Sequence, residues 1–418
     1  MTRKLISIVL LLSCITLHAT ADWTIFTYIE GSHGLQHEAI TNLSQMALGK
    51  VPDNVNMIVQ VHTGGTHSFI YEVKQNNIML LDRVACLANA KNNIINTMKM
   101  VVTAYPATHY GLITWDNGYG ILLPYYDKDA DDWDILPEDP GICSTCLAPL
   151  QKTHKKRTLK TKGMLVNAHT KTVMGNEDMV EMTRVISQDL LGGKKLDFLG
   201  IDCCLGAMLE HGYQVRQYTK YLIGSQDCEL TDGFDYVNLM LHFQQGHVTP
   251  KQIAIDIVDD YGAYNKKLAE IGRYTMSAFD LSYMDTIKEN IDAISKCMLA
   301  LLEKDRATFK KVIMDTRKEC LRFCMTPVYM DIYDFYKTLY SKLTPFDSDN
   351  LVQQLKNYII KGQNLIKKAV IANATGPVNK KAQGISIYFP FVKIDASYPP
   401  TTFAKDSHWF ILLKELLK

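Results

Sequence analysis

Short, continuous apolar runs alternate with amphipathic stretches along the first two thirds of the chain, and this rhythm restricts the possible folds more than any other feature. Trp23 to Ile29, Val55 to Val61, Tyr110 to Trp115, Leu196 to Ile201 and Tyr221 to Gly224 read as strands. Several are unbroken apolar runs of the sort covered on both faces. Between them, Gln36 to Leu48, Lys91 to Ala104, Asp178 to Leu191 and Leu205 to Tyr218 read as helices. Parallel neighbours need crossover connections, so the alternation predicts an α/β sandwich: a mostly parallel sheet between helical layers. Sheets of this kind gather their functional groups where strands end, at the carboxyl edge. That rule selects Asn117 and Cys204.

At 418 residues the chain exceeds one simple core, since domains usually run to about 100–200 residues. Beyond residue 270 the pattern changes to long helices, over Ser282 to Leu302, Val328 to Leu343 and Asp349 to Ile371, and closes on the strand-like Gly384-Ile-Ser-Ile-Tyr-Phe-Pro390. A first domain over 22–270 and a mainly helical accessory domain over 271–418 are expected. Lys and Arg number 45 against 44 Asp and Glu. A net charge of +1 provides no global field for nucleic acid or acidic membranes.

The first 21 residues have the layout of a signal peptide: Arg3 and Lys4, an apolar run from Leu5 to Leu17, then Ala19-Thr20-Ala21 before Asp22. Export is expected, to periplasm or medium. A lipoprotein anchored through Cys14 is the competing reading, with a shorter apolar stretch before it. Neither this run nor any later one reaches the roughly 20 apolar residues of a transmembrane helix. Of the 10 cysteines, Cys14 falls in the signal, which leaves an odd number and at least one thiol free or paired between chains.

The segment Leu196-Asp-Phe-Leu-Gly-Ile-Asp-Cys-Cys-Leu-Gly-Ala-Met-Leu-Glu210 runs a strand into an expected helix and delivers Asp202, Cys203 and Cys204 at the junction. A thiol at a helix N-terminus has its thiolate favoured by the dipole and by unpaired N–H groups. Two buried small residues or a structural disulfide would fit the same spacing. Asp202 could equally cap the helix.

Asp202-Cys203-Cys204-Leu205 followed by Glu210 resembles the Asp-Ala-Cys-Leu-Met motif of the clostripain-like cysteine peptidases, relatives of caspases, gingipains and separase. Trp23-Thr-Ile-Phe-Thr-Tyr28, Val55-Asn-Met-Ile-Val-Gln60, Tyr221-Leu-Ile-Gly-Ser-Gln226 and the Gly384 to Pro390 segment with Trp409 are similar to the family's other strands and its C-terminal signature. The resemblance implies a caspase-like α/β/α sandwich with Cys204 as nucleophile. It also places Asn117, in Trp115-Asp-Asn-Gly-Tyr-Gly120, where the family has its catalytic histidine. A carboxamide has no pKa in the useful range, so the general acid–base contribution of about 10²- to 10⁴-fold is expected to be missing. The oxyanion hole implied by the resemblance uses the N–H groups of Gly118 and Cys204, which survive the change.

Acidic pocket residues that bind Arg or Lys in relatives map onto Asp202 and Asp232. The basic run from Lys152 to Lys162 falls where relatives are cut for activation, with Lys155, Lys156 and Arg157 as processing points, or it is a solvated loop. His62, which ends the Val55 to Val61 strand, is the candidate rescue base. His109 lies at the opposite edge, and His169 and His211 rank below His62. No cofactor is expected. Relatives can bind calcium, but the acidic Asp127 to Asp132 run lacks the EF-hand glycine and terminal Glu, and Cys143-Ser-Thr-Cys146 lacks the second pair a zinc site needs. Cys320 and Cys324 read as packing residues. Two functions are therefore expected of this chain: an endopeptidase cutting after Arg or Lys, impaired at Asn117, or a pseudopeptidase that binds basic peptides or an inhibitor.

Overall fold

A computed structural model describes residues 21–122, 125–127, 132–134, 164–230, 232–267, 272–323 and 327–418. Its strands are β1 (Ala21–Glu30), β2 (Val55–His62), β3 (His67–Lys74), β4 (Asn77–Ala85), β5 (Ala107–Trp115), the ribbon β6 (Tyr125–Asp127) with β7 (Asp132–Asp134), the pair β8 (Met164–Asn167) with β9 (Thr172–Met174), then β10 (Leu196–Asp202), β11 (Thr219–Gly224), β12 (Thr275–Asp280), β13 (Tyr329–Asp331), β14 (Val370–Thr375) and β15 (Ser386–Tyr388). Nine of them form one sheet in the order β14-β12-β11-β10-β5-β1-β2-β3-β4. The middle of it, β11 to β2, is parallel. Antiparallel pairings finish both sides, β2-β3-β4 on one and β11-β12-β14 on the other.

Strand residues alternate between the two faces. Ile25, Ile29, Ile113 and Phe198 enter one core with α1 (Gln36–Leu48), α5 (Tyr236–Phe243) and α6 (Pro250–Lys267), placed there by Leu43, Tyr236 and Ile257 among others. Phe26, Tyr28, Leu112 and Leu199 face the other core with α2 (Ala90–Ala104), α3 (Asn176–Arg184) and α4 (Leu209–Val215). The second core continues outward into α7 (Met284–Lys304), α8 (Arg306–Glu319), α9 (Ile332–Leu343), α10 (Asn350–Ala369), α11 (Thr402–Asp406) and α12 (His408–Leu416). The segment after residue 270 thus provides these helices and also two strands of the main sheet.

Several expected boundaries shift. The helix after the Leu196 strand begins at Leu209, not Leu205, because Leu205 takes a left-handed conformation (φ 61°) and Met208 forms a bridge to Ser386. The helix expected from Val328 starts at Ile332; Tyr329 to Asp331 pair with Tyr388 to Ser386 instead, and the Asp331 carboxylate caps the helix by accepting from the Asp334 N–H. Among the described residues no helix is long and apolar enough to cross a membrane.

Candidate active site

β5 and β10 are neighbours, with Trp115 opposite Asp202, so the residues that follow them emerge side by side at the carboxyl edge. Gly118 lies directly on the Cys203-Cys204 turn that follows β10. A Cβ at this position would stand 2.1 Å from the carbonyl oxygen and 2.9 Å from the nitrogen of Cys204, so only glycine fits. Tyr329 pins the same loop: its hydroxyl donates to the Tyr119 carbonyl at 2.8 Å and accepts from the Leu122 N–H at 2.9 Å. Asn117 is half-buried in this loop. Asp116 before it is buried and accepts from the Val166 N–H of β8 at 2.5 Å.

The adjacent thiols of the turn have opposite environments. Cys203 is buried, its S–H pointing at the Thr114 carbonyl at 3.5 Å, and burial first, then Asp116 and Asp202, push its pKa well up. Cys204 is held below the ordinary thiol value, foremost by a hydrogen bond from Cys228, against the opposing effect of burial, and further by the N–H groups of Glu229 and Gly118. The Glu229 N–H lies 3.1 Å from the Cys204 sulfur. The supporting segment is anchored in turn: the Asp227 carbonyl accepts from the Leu205 N–H at 3.1 Å, and the Asp227 carboxylate holds Arg273 at 2.9 Å and Asn379 at 2.8 Å. The thiolate is therefore favoured by loop donors. The helix dipole expected from the sequence has no part in this, since α4 starts five residues later.

Asp202 turns below the thiol. Its Oδ2 accepts from the Phe234 N–H at 3.1 Å and the Tyr236 hydroxyl at 2.5 Å, and burial raises its pKa to about 6. It does not cap α4. Glu229 is the second carboxyl beside it: burial first, then Asp202 and Cys204, push its pKa well up. Among the described residues the buried Glu229 oxygens and Asp202 Oδ1 find no partner beyond the opposite carboxyl of this pair. Gly233 (φ 65°) lets the loop close over them; a Cβ there would meet Asp202 Oδ2 at 2.7 Å and the Trp115 indole at 2.9 Å. Asp232 accepts from the Tyr264 hydroxyl at 2.8 Å.

The histidines are placed as follows. His62 sits at the carboxyl edge, fully buried, with Nδ1 on Glu30 at 2.7 Å and Nε2 on the Gly65 carbonyl at 3.1 Å, so both ring nitrogens are occupied by groups other than Cys204. His109 lies at the opposite edge, against Trp23 and Asp197. His169 is exposed in the β8–β9 turn. His211 is buried on α4, Nδ1 on the Gly206 carbonyl at 3.1 Å, and burial lowers its pKa to about 4. Cys86, Cys203, Cys204, Cys297 and Cys320 are free thiols, Cys320 packing beside Met330. Lys155, Lys156 and Arg157, together with Cys14, Cys143, Cys146, Cys324, residues 1–20 and most of the acidic 127–132 run, lie outside the described residues.

Sequence reading did not single out Cys228 and Glu229. They lie four and five residues beyond Gly224, the end of β11, in the loop at the same carboxyl edge that the rule selecting Cys204 points to.

A thiol with loop donors, presented at the edge of a mostly parallel sheet beside buried carboxyls, is the arrangement of a caspase-like cysteine peptidase. A model of the clostripain family of C11 peptidases matches residues 172–402, over half of the chain. The chain belongs to the clostripain family. No curated protein matches it. Among solved structures it is similar to an inactive zymogen C11 protease from Parabacteroides distasonis, at 18% identity and TM-score 0.61 over 93% of this chain and 99% of that one. A secreted C11 cysteine protease from Bacteroides thetaiotaomicron, in complex with an irreversible peptide inhibitor, is similar at 17% identity and TM-score 0.61 over 94% of this chain and all of that one, 100%. At these identities the likeness concerns the fold.

Proposed function

We propose that the protein is an exported cysteine endopeptidase that takes Arg or Lys before the scissile bond and turns over slowly. The supporting observation is the Asp202 and Glu229 carboxyl pair, buried beside the Cys204 thiol and lacking a basic partner among the described residues. Two carboxyls in one buried site cannot both ionise comfortably. An entering guanidinium or ammonium relieves that strain and pairs with both. The Cys204 thiolate then attacks the carbonyl carbon, and the oxyanion is met by the N–H groups of Gly118 and Cys204. Collapse breaks the C–N bond. With Asn117 in the imidazole position the leaving amine takes its proton from water, and this is the slow step. Water then hydrolyses the thioester and restores the thiol. The chain's own groups suffice, with no cofactor.

The occupied nitrogens of His62 favour a second reading, capture of basic peptides without turnover. Residues 22–418, assayed with an Arg-aminomethylcoumarin substrate, separate the two. Slow hydrolysis that disappears in Cys204→Ala and rises about 10²- to 10⁴-fold in Asn117→His is expected. Hydrolysis only in Asn117→His overturns the endopeptidase reading and leaves the binding one. Glu229→Gln should raise KM for the Arg substrate with little change for a neutral one.

A further inference from the structure

A second cysteine is set into a polar cluster at the same sheet edge, on the far side of β1. Cys86 follows β4 and is half-buried. Its sulfur accepts from the Asn167 amide at 3.2 Å and faces the Asn93 amide at 3.7 Å. Asn167 also donates to Glu30 at 3.3 Å and is fully buried. The imidazole of His62 lies against the same sulfur. Both of its nitrogens face acceptors, the Glu30 carboxylate at 2.7 Å and the Gly65 carbonyl at 3.1 Å, so the ring makes both bonds only when it carries both protons. A cationic imidazole and two carboxamide N–H₂ groups converge on one thiol.

We propose that Cys86 is a second reactive thiol, independent of Cys204, whose thiolate forms mixed disulfides with small disulfide-bearing molecules. The thiolate attacks one sulfur of the incoming disulfide. A new S–S bond to Cys86 forms as the old one breaks, and the departing thiolate takes its electron pair and then a proton from water, so no further oxidant is needed. The titration of the cluster agrees. Burial alone would push His62 down, but its nearness to Cys86 and its hydrogen bond to the Glu30 carboxylate hold it at about 10, and, against burial that pushes the Cys86 thiol up, His62 and Asn167 lower it. Glu30 and the Tyr28 hydroxyl of β1 are the other titratable groups facing this thiol, and Glu30 opposes the lowering.

The test uses residues 22–418 carrying Cys204→Ala, so that the peptidase nucleophile contributes nothing. Iodoacetamide labelling of Cys86, read by peptide mass mapping across pH, is expected to reach half its maximal rate below about pH 8.5, and oxidised glutathione at about pH 6 is expected to add to Cys86 at least about tenfold faster than when His62→Gln is also present. A labelling midpoint at or above about pH 8.5, the value of an ordinary thiol, overturns the proposal, as does an equal glutathione rate in the folded double variant. If His62→Gln does not fold, the labelling midpoint decides alone. Because Cys204 is absent, the outcome is separate from that of the peptidase reading.

Discussion

Cys228 shows how one side chain sets the behaviour of another. Its hydrogen bond is the foremost influence lowering the Cys204 pKa. Removing it in Cys228→Ala should raise the pH midpoint of Cys204 alkylation, measured with iodoacetamide and mass mapping; an unchanged midpoint would leave the backbone donors as sufficient. Gly118→Ala is a harsher change. Its Cβ would fall 2.1 Å from the Cys204 carbonyl oxygen, a contact relieved only by moving backbone. Labelling of Cys204 by an Arg chloromethyl ketone should drop at least about tenfold, since a shift of about 1 Å at a reacting group costs that much or more. At this scale Cys204, Asn117, Gly118 and Asp202 could be located from the sequence, because each ends or follows a strand with a clear apolar run. That Cys204 meets the 227–229 segment, a contact between residues about 25 positions apart, leaves no mark in the sequence.

Elements fared by the same logic. β1, β2, β5, β10, β11, α1 and α2 have apolar patterns that one period explains, and their expected positions agree with the observed ones within a few residues. The turn at Leu205 does not: a left-handed non-glycine residue leaves no mark in composition, and the helical spacing of the following residues masks it. β3 and β4 escape a single-period reading because polar residues interrupt β3 and because Met79 and Leu80 of β4 are exposed beside the packed Ile78 and Leu81. β10, buried throughout, leads into the Cys203-Cys204 turn, with Phe198 centred in the core and its ring 5.9 Å from that of Trp23. Phe198→Ala should cost about 3–5 kcal/mol of stability, measured by denaturant titration. A loss below about 1 kcal/mol would mean that this core collapses around the gap.

For the molecule as a whole, buried acids make stability depend on pH. Glu210 of α4 accepts from the Tyr388 N–H at 2.9 Å, tying α4 to β15, and burial raises its pKa to about 7. The folded state therefore favours the protonated acid, so this contribution is fully present below the unfolded value near 4.5 and is lost as pH rises through about 7. Glu210→Gln keeps the acceptor and removes the titration. At about pH 8 it should be more stable than wild type by about 1–3 kcal/mol, and at about pH 4 the two should coincide. The antiparallel flanks have a consequence of another sort. β11 meets β12, and β12 meets β14, using strands that arrive only after residue 270. Trimming the polypeptide there would leave a raw, ungated seam of amide and carbonyl groups along β11, open to the same seam on a second molecule. Clumping of such a fragment would then reflect the missing hem and say nothing about the thiol chemistry.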